Sequence, residues 1–481
     1  MRLGNLMNGI IPKSEIFFMN ENIKKIETDS RKCDSESVFF AMKGRNDNGM
    51  NYIDDAIERG AKVVVSEETI ERKDVKSIVV DDARKAYSIM AANLFECPAK
   101  SMKIIAVVGT NGKSTTAHFI YEILKSCGLC AGIIGTHTVK FNGVKLSHDM
   151  TTPDPVDLNR YLRSMEESGV EYVVMEVSAH AIYLEKLYGI KFDMAVFTNF
   201  SQDHLDYFKD MEEYGRIKAG FFKSSNVRLA IVNTDDVLGR NIAKGADIPV
   251  FTYGLDNPSD VFAIDIESGE RTKFIVNILD EVATFDTALL GRFNVYNILG
   301  ASLVARLIGI SLEEIQESVK NISPCEGRFN VIIAKGVKFV IDYAHTPDGL
   351  ENILKELRNM TENKLRVVFG CGGDRDRSKR AVMGKIAGEY ADEVVLTSDN
   401  PRSEDRLAII EDIRAGVEDT TVVVLPNRED AIRYAYAMSN SGDVVLIAGK
   451  GSEDYIEEKG VKTYFSDKET LLRIREEENG I

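Results

Sequence analysis

Two hydrophobic rhythms run along this chain. Short continuous apolar runs, closed by Gly, Ser or Asn, occur at residues 103–108 (KIIAVV), 131–134, 172–177 (YVVMEV) and 194–198. Between them, apolar residues recur at three- and four-residue spacing. Runs this short and this uniformly apolar predict strands buried on both faces, and helices inserted between such strands predict a parallel sheet covered on each side. The alternation resumes after Gly327, with strands predicted at 338–341, 365–369, 393–396, 421–425 and 444–447 and helices at 348–358 and 379–390. This second series predicts a dinucleotide-fold-like α/β domain. Ahead of both lie a strand-like run at 37–42, a helical pattern at 52–59 and another strand at 61–66. The expectation is an α/β protein of three domains, with boundaries at 1–100, 101–326 and 327–481, and no internal repeat.

Composition narrows this picture little. With 481 residues, 44% of them hydrophobic and 28% charged, the chain has material for several cores. No apolar run approaches the about 18 residues of a membrane span, and the first residues lack a signal-peptide pattern. Net charge is −16, which excludes a broad nucleic-acid surface, so any anionic ligand must be held by local groups. The cysteines stand at 33, 97, 127, 130, 325 and 371. Cys127 and Cys130 form a CxxC with no second pair, and Gly128 between them reads as a helix end before a strand. Reduced thiols, a cytoplasmic location and no membrane insertion are expected.

The chemistry begins at residues 104–115, IIAVVGTNGKST. A buried strand runs through a glycine-rich turn into a helix, which aims backbone N–H groups and a helix N-terminus at phosphate oxygens. Lys113 can reach outer phosphates and the Ser114 hydroxyl can ligate Mg²⁺. The strict GxxxxGK[ST] pattern has Val107 in place of its first glycine, so the strand, turn and helix context carries the reading.

Taken in order, Gly109-Thr110-Asn111-Gly112-Lys113-Ser114-Thr115, Glu176-Val177-Ser178, the run 199–206 (NFSQDHLD) and the run 342–347 (DYAHTP) resemble the Mur ligase family over essentially the whole chain. The N-terminal runs 28–31 (TDSR) and 38–44 (VFFAMKG) resemble its tripeptide-forming branch. The resemblance implies an ATP- and Mg²⁺-dependent ligase in which a carboxylate is phosphorylated and an amine then attacks the acyl phosphate. It implies catalytic roles for Lys113, Glu176, His204 and Lys218. Ser114, Glu176, His204 and Lys218 would hold metal, Lys218 as an N6-carboxylysine. It implies ATP contacts at the phosphate loop, Asn294, Asn297, Arg328 and Asp342. Charge neutralisation and positioning, which phosphoryl transfer needs most, suit these residue types.

The resemblance also implies the other substrates, UDP-MurNAc-L-Ala-D-Glu and meso-diaminopimelate. Ser30, Arg45, Asn46 and Asp47 match uridine-nucleotide contacts, and Thr151, Thr152 and Ser178 match muramoyl-dipeptide contacts. Lys186 stands where the family has an Arg, and Leu184 where it has a Gln. Arg375, the run Asp399-Asn400-Pro401-Arg402, Gly449 and Glu453 match amino-acid contacts, with Ser452 in place of a usual His. Arg402 could grip a distal carboxylate bidentately. Lysine as the added amino acid, a folylpolyglutamate-synthetase-like ligase and a non-catalytic nucleotide switch are the alternatives. A monomer is expected.

Overall fold

The computed structural model describes residues 1–481 apart from 14, 15, 45, 46, 71, 73–75, 137, 147, 149, 224 and 479–481. The strand Lys103–Val108 lies in the middle of the largest sheet because it is apolar at nearly every position and can be buried on both faces. Tyr172–Val177 pairs parallel to one side of it and Met194–Phe197 to the other. Ala131–Gly135 extends the parallel array on the first side, and Ala230–Asn233 and Val250–Gly254 on the second. Two apolar clusters, one on each face, seal this sheet. Val108 stands in register with Val177 and Phe197, so all three strands end at one edge and deliver Gly109, Ser178 and Thr198 to the same place. In open parallel sheets this carboxyl edge is where ligands bind.

The N-terminal sheet has four parallel strands, Lys25–Glu27, Ser37–Phe40, Val63–Ser66 and Lys76–Val79. Ser88, on its helix Ala83–Leu94, donates to the Glu185 carbonyl at 2.7 Å and ties this unit to the central one. The C-terminal sheet runs Asn330–Ala334, Val337–Asp342, Val444–Ala448, Leu365–Phe369, Glu393–Leu396 and Thr421–Val424, with only the first pair antiparallel. Its carboxyl edge carries Asp342, Gly449, the loop after Phe369 and the loop after Leu396.

The predicted α/β architecture is the one found, and the apolar strands fall within a residue or two of their expected limits. The Cys127–Gly128 turn does end a helix, Lys113–Ser126, with Gly128 left-handed at φ +78° before the strand Ala131–Gly135. The antiparallel parts are new. Val261–Ser268, Thr272–Ile278 and Glu281–Thr287 extend one edge of the central sheet, and Thr138–Phe141 with Val144–Leu146 extends the other. Tyr455–Glu458 and Val461–Tyr464 form a separate hairpin.

One ion pair anchors the loops of the C-terminal edge. Arg428 and Asp467 have fully buried side chains, joined through Nε at 2.7 Å and Nη2 at 2.8 Å. Arg428 also donates to the carbonyls of Ala448, at 2.8 Å, and Ser398, at 3.3 Å, one residue before Gly449 and Asp399. Removing one member of such a pair strands the other charge in a medium that cannot solvate it. Arg428→Ala is expected to cost about 3–5 kcal/mol of stability, measured by denaturant unfolding. Replacing both residues by apolar ones of similar volume is expected to cost less than either single change.

Candidate active site

The phosphate loop is held open by its neighbours. Gly109 has φ +155°, and a Cβ there would stand 1.9 Å from Thr198 Oγ1, so only glycine lets the two strand ends approach. Asn199 spans the turn, accepting from the Asn111 amide at 2.9 Å and donating to the Asn111 carbonyl at 3.0 Å. Thr198 Oγ1 donates to that carbonyl too, at 2.7 Å. Lys113 Nζ donates to the carbonyls of Gly109, at 3.1 Å, and Thr110, at 2.7 Å. Burial pushes its ammonium below the usual lysine range, against the pull of Glu176 and Asp203.

Asn294 and Asn297 are buried on the helix Arg292–Ile308. Asn294 donates to Leu290 at 2.8 Å, and Asn297 Oδ1 accepts from Thr116 at 3.1 Å while lying under Gly112. Asn297 thus supports the start of the phosphate-loop helix from beneath, and its Nδ2 donates to Asn294 Oδ1 at 3.3 Å. Thr115 is buried beside them.

Glu176 is 2% exposed. Its carboxylate accepts from Ser114 Oγ at 2.7 Å and from the Thr136 amide and hydroxyl at 2.8 and 3.1 Å. Lys218 is 1% exposed on the helix Met211–Phe222, over the Tyr214 ring, and donates to Thr110 Oγ1 at 2.9 Å. Burial, with Lys113 nearby, drives its pKa well below that of a free lysine. His204, left-handed at φ +58°, faces Asp203 at 3.2 Å, and burial holds its imidazole neutral. Of the four residues read as metal ligands, Ser114 and Glu176 touch each other, while Lys218 bonds Thr110 and His204 faces Asp203. Among the described residues, no group of three or more His, Cys, Asp or Glu could hold a metal. The oxygens of Ser114 and Glu176 nonetheless suit Mg²⁺, a hard cation that takes few protein ligands and keeps several waters. A carboxylated Lys218 would supply a further oxygen donor.

The C-terminal unit closes over this turn. Arg328 Nη2 donates to Ser114 Oγ at 3.2 Å, and Asn111 Nδ2 donates to Asp348 Oδ2 at 2.7 Å. Asp342 is engaged by the Phe329 and Ala344 amides at 2.8 and 2.6 Å, which leaves each oxygen a second lone pair. Tyr343, absent from the residues expected from sequence, links two ends of the site. The Arg328 guanidinium lies over its ring at 4.2 Å, and its hydroxyl donates to Glu453 Oε1 at 3.3 Å. A cleft of about 680 Å³ runs past Ser114, Glu176, Arg328, Tyr343 and Glu453.

At the far end, Glu453 also accepts from Asn400 Nδ2 at 2.9 Å and from the fully buried Lys450 at 3.4 Å. Lys450 Nζ donates to Asn400 Oδ1 at 3.1 Å and lies 3.9 Å from Asp399. It is not among the residues expected from sequence, which are only Gly449 and Glu453 in this run. Gly449 has φ +110° and packs on Asp399, where a Cβ would stand 2.6 Å from Oδ2. Pro401 O lies against Gly373. Arg402 Nη1 donates to the Gly373 carbonyl at 2.6 Å, and Arg375 lies half-exposed 3.8 Å from Asp206.

Towards the N-terminal unit, Thr152 Oγ1 donates to the Glu176 carbonyl at 2.9 Å and accepts the Ser178 amide at 3.0 Å. Thr151 accepts from Thr136 at 3.3 Å, and Lys186 pairs with Asp154 at 2.6 Å. Ser30 is buried, and Asp47 accepts the Tyr52 hydroxyl at 2.7 Å. Both sit on the N-terminal sheet unit, apart from the phosphate loop. Arg45 and Asn46 lie outside the described residues.

Three family descriptions match in succession: the Mur ligase family catalytic domain over 22–95, the Mur ligase middle domain over 107–305, and the Mur ligase glutamate ligase domain over 327–451. The chain belongs to the Mur ligase family. Among Mur ligases it is 42% identical, over 448 residues and 91% of each chain, to the UDP-N-acetylmuramoyl-L-alanyl-D-glutamate--2,6-diaminopimelate ligase of Geobacillus thermodenitrificans. The like-named protein of Clostridium botulinum is 38% identical over 98% of this chain and 99% of its own. A solved UDP-N-acetylmuramoyl-L-alanyl-D-glutamate--2,6-diaminopimelate ligase aligns over 100% of this chain and 99% of its own, at TM-score 0.70 and 30% identity. The MurF ligase of Thermotoga maritima in complex with ADP shares the fold, at TM-score 0.63, 19% identity and coverage of 95% and 97%.

Lys113→Ala is expected to reduce ADP release about a hundred- to a thousandfold, the usual cost of losing a preorganised electrostatic group. Its melting temperature should stay near wild type. Wild-type turnover in a folded Lys113→Ala protein would remove this loop from the chemistry.

Proposed function

We propose that the chain joins meso-diaminopimelate to UDP-N-acetylmuramoyl-L-alanyl-D-glutamate, with ATP converted to ADP and phosphate. It is an ATP-dependent acid–amino-acid ligase of peptidoglycan precursor synthesis. The observation that carries the reading is Tyr343. By touching both Arg328 and Glu453, it makes the phosphate loop and the amino-acid loops two ends of one cleft. The full-length likeness to ligases named for this reaction supports the choice of substrates.

The steps follow from charge. The substrate carboxylate attacks the γ-phosphorus of ATP, ADP leaves, and an acyl phosphate forms. Lys113, the loop amides and Arg328 balance charge on the transferring group. The neutral amine then attacks the acyl carbon, inorganic phosphate leaves, and the amine's second proton passes to solvent or base. Bound Mg²⁺, held by Ser114, Glu176 and a carboxylated Lys218, with His204 nearby, would add positive charge against the phosphate oxygens. Asp342 would face the ribose. The Arg328–Ser114 and Asn111–Asp348 contacts keep water from the acyl phosphate once the C-terminal unit closes. Among the described residues no helix is long and apolar enough to cross a membrane.

Lys218 suits modification because its environment strips the proton that would block reaction with CO₂. The neutral amine adds to CO₂ and one proton leaves, which puts an anion where a buried ammonium would be costly. Lys218→Ala is expected to lose activity and to regain part of it with added short-chain carboxylic acids. Full activity of this variant, with no carboxylated lysine in the intact mass of wild type, would refute the role.

Amino-acid choice is tested by ADP release with meso-diaminopimelate, L-lysine or L-ornithine. Only the first carries a distal carboxylate for Arg402. Losing a desolvated bidentate contact costs about 2–4 kcal/mol, so Arg402→Ala should lower kcat/KM for meso-diaminopimelate by roughly 30- to 1000-fold. The KM values for ATP and the uridine nucleotide should hold. Wild-type preference for lysine would overturn the substrate while leaving the ligase.

A further inference from the structure

The two arginines that would read the amino acid sit on separate loops, and the structure locks those loops together. One loop follows the strand Leu365–Phe369 and carries Arg375; the other follows Glu393–Leu396 and carries Arg402. Their backbones touch. The Gly373 amide donates to the Asn400 carbonyl at 2.9 Å, and a Cβ on Gly373 would stand 1.9 Å from the Pro401 oxygen. Asp374 then reaches across, accepting the Ser403 amide at 3.1 Å and the Ser403 hydroxyl at 2.6 Å. Glu404 reaches back and accepts the Asp374 amide at 2.6 Å. The exchange is reciprocal, each carboxylate capping a backbone amide of the other loop.

Beneath this clasp lies a wholly buried guanidinium. Arg380 donates to both oxygens of Glu404, at 3.1 and 2.9 Å, to Asp412 at 2.9 Å and to the Gly372 carbonyl at 3.4 Å. Arg377 adds a contact to Glu404 at 2.8 Å. Asp374 and Arg402 are both left-handed, at φ +53° and +50°, a conformation that residues other than glycine adopt only when the surroundings hold them there. Hydrogen bonds from Arg380 hold the Glu404 carboxyl down to about 2, so Glu404 is charged throughout the neutral range.

We infer that Asp374 and Glu404 are positioning residues for the amino-acid substrate, fixing the separation of Arg375 and Arg402 so that the pair selects an amino acid with a second carboxylate. Neither would touch the substrate. A clasp on backbone amides sets where each arginine's Cα stands, and bidentate recognition tolerates little error in that placement. This rests on the reading of meso-diaminopimelate as substrate.

Asp374 is exposed, so its substitution spares the core. In Asp374→Ala the KM for meso-diaminopimelate should rise tenfold or more and the preference for meso-diaminopimelate over L-lysine should fall by a similar factor. The KM values for ATP and the uridine nucleotide should stay within about twofold, and the melting temperature near wild type. Asp374→Asn keeps a side-chain acceptor and tolerates the left-handed conformation, and should recover most of the preference. An unchanged meso-diaminopimelate KM in Asp374→Ala, or an equal loss towards all three substrates, overturns the inference. Wild type fails with meso-diaminopimelate only if the substrate reading itself is wrong, and that result overturns both.

Discussion

Two lysine side chains buried against one turn set the terms for the rest of the site. Lys113 and Lys218 both converge on Thr110, one on its carbonyl and the other on its hydroxyl. Burying like charges side by side is unfavourable twice over, through lost hydration and mutual repulsion in a medium of low polarity. Protein groups nearby offset part of this. Glu176 and Asp203 act on Lys113, while Asp203 and Asp236 act on Lys218. What would satisfy the turn is more negative charge, from a polyphosphate against Lys113 and from a carboxylate formed on the Lys218 amine. Nucleotide binding and lysine modification are then two answers to one electrostatic problem.

The same constraint accounts for the reach of the C-terminal unit. Arg328 brings a third cation to Ser114, and does so with its guanidinium stacked on Tyr343. A flat, weakly hydrated cation lying on an aromatic ring gives up less on leaving water than an ammonium would. Tyr343 then spends its hydroxyl on Glu453. The arginine that would balance phosphate charge and the carboxylate that would meet an ammonium are therefore one side chain apart. That ring links the Arg328 contact on Ser114 to the position of Glu453.

How much of this could be read from the chain depends on how local each signal is. The strands of the parallel sheets were legible because burial on both faces leaves nearly unbroken apolar runs, as at Lys103–Val108 and Leu365–Phe369. The hairpins around residues 261–287 were not, because one face stays wet and their sequences mix Thr, Glu and Asp with Val and Ile. Among site residues, those expected from sequence lie in compact motifs, whereas side chains joined only by tertiary contact left no local signal. Tyr343 sat inside a recognised run without a role, and Lys450 lay within a glycine turn. Asp374 and Glu404 are thirty residues apart, so only the adjacency of two strands brings them together. Asn297 shows that a residue marked by a motif beside the nucleotide loop can also hold the helix that follows the loop.

Arg402 shows how such a site discriminates. Its guanidinium already donates to the Gly373 carbonyl at 2.6 Å, and Nε lies 3.6 Å from the Glu457 carboxylate. An incoming carboxylate therefore does not meet an unpartnered cation. It must do better than a carbonyl and a half-exposed glutamate by offering two oxygens in the plane of the fork. An amino acid without that carboxylate leaves the existing contacts in place and gains nothing from Arg402. The net preference is a difference between two satisfied states, so it depends on how well the new contact fits. It grows when Arg375 stands at the matching distance, so selectivity resides in the spacing of the two loops as much as in either arginine.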